Sequence, residues 1–169
     1  MTTSSSQEQL TAERTVDASP SAVFALLADP SRHRETEPGE WVLDAVDPTP
    51  ITRAGQVFGM NMYIEPVGRY VMHNEVVAFE QDRSIAWAPG QYDDEGHLDA
   101  GGWLWRYDLV PAGDGTRVRL TYDWSATPQA VRDEFGGLPP FGADFLEQSL
   151  ESLVSALARP RDGGSTATS

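Results

Sequence analysis

The sequence predicts an α+β domain in which a curved antiparallel sheet wraps around one long C-terminal helix. Three observations predict it. A short capped helix opens the ordered part, a long run of glycine- and proline-punctuated alternation follows, and an amphipathic helical stripe closes it. One short and one long helix cannot cover both faces of so many strands, so the economical arrangement is a sheet curled over the last helix.

The first helix is set by Ser19–Pro20, an N-cap with proline at the first helical position, ahead of Val23, Phe24, Leu26 and Leu27. Asp29–Pro30 is expected to end it. A strand from about Gly55 places Phe58, Met60 and Met62 on one face. Met72 to Phe79 is a second strand, Ser84 to Ala88 a third, and Gln81–Asp82–Arg83 the turn between them. Directing Tyr70, Met72, Asn74, Val76 and Ala78 inward sends His73 and Glu75 to solvent, the cheaper placement for charge. Next comes a hairpin with an aromatic face. Trp103, Trp105, Tyr107 and Leu109 alternate with Leu104, Arg106, Asp108 and Val110, and the turn lies within 111–116. Val118, Leu120, Tyr122 and Trp124 then alternate with Arg117, Arg119, Thr121 and Asp123. Were that register reversed, Arg106 and Asp123 would face the interior as buried site candidates. After Pro139–Pro140, Leu146, Leu150, Leu153 and Leu157 recur at helical spacing, with Glu147 and Glu151 on the wet side, over roughly sixteen residues.

A chain of 169 residues fits a single domain, expected over 11–158, with polar tails at 1–10 and 159–169. Twenty-six acids oppose twelve bases for a net charge of −14, and every base is arginine. Without lysine or cysteine the chain offers no Schiff base, thiolate nucleophile, disulfide or cysteine metal site. The acidity argues against a nucleic-acid partner and against an anionic membrane surface. The N-terminal residues carry neither the cationic start nor the apolar core of a signal peptide, and no apolar run reaches membrane-span length, so a cytoplasmic location without membrane insertion is expected. His33, His73 and His97 lie in separate segments without metal-ligand spacing, and no metal or cofactor is expected. The acidic stretch from Asp93 to Gly102 reads as a mobile loop between strands, and a homodimer through an open sheet edge is a further expectation.

The segment TVDASPSAVFALLADPSRH resembles the first strand and capped helix of the START-like SRPBCC superfamily, the polyketide cyclase/dehydrase and lipid-transport group. GQVFGMNM, NEVVAFEQDRSIAWAPG, WLWRYDLVPAGDGTRVRLTYDW and FLEQSLESLVSALA follow in the order and spacing of that superfamily, from about Glu13 to Ala158. The resemblance implies a helix-grip fold with a hydrophobic cavity between sheet and helix. It fixes no reaction, because the fold hosts carriers, sensors, cyclases and co-chaperone-like domains.

The expected lining is Phe58, Met60, Met62, Asn74, Val76, Trp87, Trp103, Trp105, Tyr107, Tyr122 and Trp124, large and soft side chains suited to an apolar or aromatic small molecule. Trp87, just before Ala88–Pro89–Gly90, is expected near the cavity mouth. Asn74, if inward, either bonds neighbouring backbone or orients a ligand. His33, within HRETE beside Glu35 and Glu37, reads as a solvated residue; a histidine follows the same helix in the resembling group, which makes it a general acid/base candidate. Three functions follow. The first is a binding or carrier protein for an aromatic, polyketide-like or lipid-like ligand. The second is a polyketide cyclase or dehydratase drawing on His33, Asn74, Tyr107 and Tyr122, which requires an ionisable side chain inside the cavity. The third is an acidic interaction module resembling the Hsp90-activator branch, motivated by the five acids and no base between Glu35 and Asp47.

Overall fold

The hairpin read from the alternation of Trp105, Tyr107, Leu120 and Tyr122 forms the centre of one half of the sheet, as β7 (Leu104–Ala112) and β8 (Gly115–Asp123). Trp105 stands opposite Tyr122 and Tyr107 opposite Leu120, so the apolar set shares one face. This computed structural model describes residues 8–37, 39, 41–65, 67–134 and 142–158. The remaining strands are β1 (Gln9–Val16), β2 (Val42–Ala45), β3 (Val57–Ile64), β4 (Gly68–Glu80), β5 (Ser84–Tyr92) and β6 (Leu98–Ala100). All neighbouring pairs are antiparallel, in the order β1-β8-β7-β5-β4-β3-β2, with β6 added to β5. The sheet curls into a half-barrel on α3 (Ala143–Ala158), giving the α+β helix-grip arrangement.

Local chemistry explains the helices. Ser19 Oγ accepts the Ala22 amide at 3.1 Å and Pro20 opens α1 (Pro20–Leu27), which buries Val23, Phe24, Leu26 and Leu27. Asp29–Pro30 does more than stop that helix. Asp29 caps a 3-10 helix over Pro30–Thr36, accepting from the Ser31 amide and hydroxyl at 3.1 and 2.6 Å. In α3 the buried stripe is Leu146, Leu150, Leu153 and Ala156, with Ser149 buried beside it and Leu157 only partly covered. A short helix, α2 (Gln129–Glu134), has no counterpart in the sequence reading.

Two strand boundaries and one register differ from expectation. β1 begins at Gln9, so Gln9 and Leu10 are not tail; they pair with Asp123 and Tyr122 of β8. The expected C-terminal tail lies outside the described residues, as do residues 1–7. β5 runs on to Tyr92, and the acidic stretch behind it is a hairpin into β6. Asp93 Oδ1 closes the turn by accepting the Glu95 and His97 amides at 2.8 and 2.9 Å. In β4 the inward alternation holds through Val76 and then slips by one residue. A bulge at Val77 lets Ala78 pair with Ala86 and turns Phe79 inward, where its ring meets Phe24 of α1 at 5.2 Å.

The register ambiguity of the hairpin resolves to the outward arrangement. Arg106 pairs with Asp108 along its own strand at 3.1 Å, and Asp123 accepts from the Ser125 amide and hydroxyl at 2.8 and 2.7 Å. Neither Arg106 nor Asp123 reaches the interior.

Candidate functional site

Between the concave face of the sheet and the helical layer lies a cavity of about 740 Å³. Its sheet wall is assembled strand by strand. β3 supplies Phe58, Met60 and Met62, and β4 supplies Tyr70, Met72 and Asn74. Trp87 comes from β5, Trp105 and Tyr107 from β7, and Tyr122 from β8, with Trp103 just ahead of β7. Trp41 joins them, so four of the five tryptophans line the space. Ile64 and Val67, exposed at the β3–β4 turn, form a rim with Asp99 of β6 and Glu134 of α2.

Two expected lining residues are elsewhere. Val76 is buried in the core opposite Trp87 of β5 and is not part of the cavity wall. Trp124 lies past the end of β8 with its ring 5.7 Å from Tyr122, packed behind the wall rather than in it. Trp87 is not a mouth residue either, since its strand continues beyond it and its ring is enclosed by His33, Phe58 and Tyr107.

His33 is the largest departure from the sequence reading. It is 5% exposed, because the 3-10 helix turns it under α1 into the interior. Its ring stacks on Trp87 at 5.0 Å and 23° and meets Phe58 edge-on at 5.3 Å. Nε2 lies 2.7 Å from the Leu27 carbonyl, which can only accept, so Nε2 carries the proton. Burial pushes the imidazole pKa below its ordinary value, outweighing the Leu27 bond and the Asp29 charge. The neutral ring therefore keeps an unprotonated Nδ1.

Glu37, one residue past that helix, is in the sequence only one acid among many. It lines the cavity and accepts a 3.1 Å hydrogen bond from Ser149 Oγ of α3. Burial pushes its carboxyl up to about 8, and the Ser149 bond only partly opposes this. Tyr107 is 2% exposed; burial raises its phenol well above the usual range, and the Glu37 charge adds to that. Burial also raises Tyr122 and Tyr70. Asn74, 4% exposed, donates through Nδ2 to the carbonyls of Phe58 and Met72, each at 3.3 Å, while still lining the cavity. The Trp41 indole Nε1 is buried without a hydrogen-bond partner among the described residues. At neutral pH the polar groups inside are thus a protonated carboxyl, a neutral imidazole, phenols and an amide. Glu35, by contrast, is held by Arg32 at 2.8 Å and is no part of the wall.

Among the described residues no three His, Asp or Glu side chains gather as a metal ion would require. No described helix is long and apolar enough to cross a membrane.

Residues 7–158 match the family described as polyketide cyclase / dehydrase and lipid transport. The chain belongs to that family. Its structure is similar to protein Ms6760 from Mycobacterium smegmatis, with a TM-score of 0.59 and 17% identity over 95% of this chain and 92% of that one. It is also similar to CV1439 from Chromobacterium violaceum, with a TM-score of 0.64 and 16% identity over 90% and 99%. The Aha1 dimer from Colwellia psychrerythraea gives 0.56 and 15% identity over 88% and 95%. Identities this low establish the shared START-like fold alone. No curated protein matches the chain.

Proposed function

We propose that this chain is a small-molecule binding protein whose cavity holds an apolar, ring-containing ligand of polyketide-like or lipid-like character. The observation that carries the reading is the composition of the 740 Å³ space, walled by tryptophan, tyrosine, phenylalanine and methionine, with only a few polar groups to orient a guest. Family membership supports a ligand-binding fold. The rings supply contact area at low entropy cost, and the methionines adapt to shape. Native mass spectrometry of gently purified protein, followed by a thermal-shift screen with aromatic and acyl compounds, tests the reading. One bound small molecule per chain, or a Tm rise with ring compounds, supports it. An interior that responds to no ligand refutes it.

One observation favours a second reading, a cyclase or dehydratase in the same cavity. That reading requires ionisable groups pointing inward, and Glu37 and His33 both do so in complementary states. A protonated carboxyl can act as general acid on a departing hydroxyl or a carbonyl oxygen. A neutral imidazole with a free Nδ1 can act as general base at a carbon next to a carbonyl. Loss of water from an aromatic β-hydroxyketone, abolished in both Glu37→Gln and His33→Phe while each still binds it, would establish the enzyme. Binding without turnover at any pH leaves the carrier.

A further inference from the structure

The charge of the cavity wall is as informative as its apolarity. Among the described residues no arginine lines the space, and the chain contains no lysine. Two arginines on the helical segments that contribute to the wall are engaged elsewhere. Arg32 binds Glu35 at 2.8 Å and the Ala156 carbonyl at 2.9 Å, and Arg132 binds the carbonyls of Thr127 and Trp124 at 2.9 and 3.0 Å. The ionisable side chains that do line the cavity are His33 and the tyrosines, Glu37 within, and Asp99 and Glu134 at the rim. Among the described residues, a ligand entering this space meets carboxyl groups and aromatic faces and no arginine.

Resting on the reading of the cavity as a ligand site, we propose that it is a charge sieve. It accepts an uncharged ring compound bearing a hydroxyl or carbonyl group and rejects the carboxylate of the same skeleton. Hydrogen-bonding groups that suit a neutral guest are present among the lining side chains: the phenols of Tyr70 and Tyr107, the Asn74 amide and the Glu37 carboxyl. A carboxylate would be desolvated with no arginine of the described residues to neutralise it. Free fatty acids and other terminal carboxylates are therefore poor ligands, and uncharged alcohols, ketones and phenols are the substrate class.

The cheapest way for a carboxylate to enter is as its neutral acid. Protonating a group of pKa ~4.3 at pH 7 lowers the apparent affinity by roughly 500-fold, about tenfold for each pH unit. The groups facing the guest hold their state over a modest pH range. Glu37, in contact with Ser149 of α3, stays protonated below about 8, and the Tyr107 phenol of β7 stays neutral.

The test is a matched series on one skeleton: 2-naphthalenemethanol, 2-naphthoate and 2-naphthylmethylamine, titrated into the full chain by calorimetry at pH 7.5 and pH 6. The alcohol should bind with the same Kd at both values. The carboxylate should bind on the order of 10³-fold more weakly at pH 7.5 and gain about tenfold per unit on acidification. Met72→Arg places a guanidinium on the half-buried part of the wall, and folding is checked by circular dichroism; carboxylate affinity at pH 7.5 should rise in that variant. A carboxylate equal to the alcohol at pH 7.5 overturns the sieve while leaving the binding function intact. An amine that binds more tightly than the alcohol overturns it in favour of an organic-cation site. Failure of all three compounds overturns both the sieve and the binding function.

Discussion

Ser149 Oγ of the long helix donates to Glu37 Oε1 at 3.1 Å, so one hydrogen bond joins α3 to a carboxyl that lines the cavity. The contact spans 112 residues of sequence and requires the 3-10 helix to have turned the chain inward first. Ser149 is fully buried, while Glu37 is half-buried and also lines the cavity.

The Glu37 carboxyl gives the protein a pH-dependent liability. Its pKa is raised on folding from 4.5 to about 8, so between those values the native state binds more protons than the unfolded state. Stability from this group is full below pH 4.5 and falls as pH rises through about 8. Glu37→Gln keeps the shape and an acceptor for Ser149 and removes the titration. The variant should match the wild type near pH 5 and exceed it in Tm at pH 8.5, measured by calorimetry.

His33 works in the opposite direction. Its pKa is lowered on folding from 6.5, so the native state binds fewer protons than the unfolded state below that value. Stability from the neutral ring is present above pH 6.5 and lost as pH falls beneath it. His33→Phe keeps the ring on Trp87 and gives up the Leu27 bond, costing about 1 kcal/mol at pH 7. Urea titrations from pH 7 to pH 5 should show the wild type losing stability that the variant keeps.

Gly101 holds the rim open. A Cβ there would fall 2.0 Å from Trp103 Cζ3 and 2.4 Å from Cη2, so any side chain must displace the indole. Trp103 sits ahead of β7 rather than within it, so the ring has room to move without unfolding the sheet. Gly101→Ala should cost little Tm, shift tryptophan emission and weaken ring-compound binding. Unchanged binding would remove Trp103 from the working wall.

Tyr107→Phe deletes one hydroxyl from a ring that is otherwise fully packed. The fold should be retained, and affinity for an oxygen-bearing ring ligand should fall by roughly 5- to 10-fold, the worth of one hydrogen bond of about 1 kcal/mol. Affinity for the parent hydrocarbon should not change, and the two isotherms together separate a polar contact from a packing defect.

Much of the fold was legible because period-2 and period-3.6 patterns survive wherever one face is buried. The aromatic alternation from Trp103 to Trp124 and the leucine stripe of α3 are such cases. The bulge at Val77 was not legible, because Val76, Val77 and Ala78 are all apolar and no charge marks which residue is extra. The 3-10 helix was hidden behind Asp29–Pro30, a pair that reads as a terminator yet also caps and opens the next turn.

The site divided along the same line. Uncharged lining residues on strands could be assigned to a face by alternation. Glu37 and His33 sit on an irregular connection where no period applies, and Glu37 resembled every other acid in a chain of net charge −14. The available clue was local: His33 and Glu37 are four residues apart beside a predicted helix end, while Glu35 between them is taken up by Arg32.

The most direct test of the central claim is a fluorescence titration of the intact chain with 2-naphthalenemethanol. Four tryptophans line the cavity and Trp124 lies behind it, so a guest inside must perturb most of the emission. The predicted result is a saturable change at one ligand per chain. A linear, non-saturating change, or none at all at millimolar ligand, would contradict the existence of a working binding cavity.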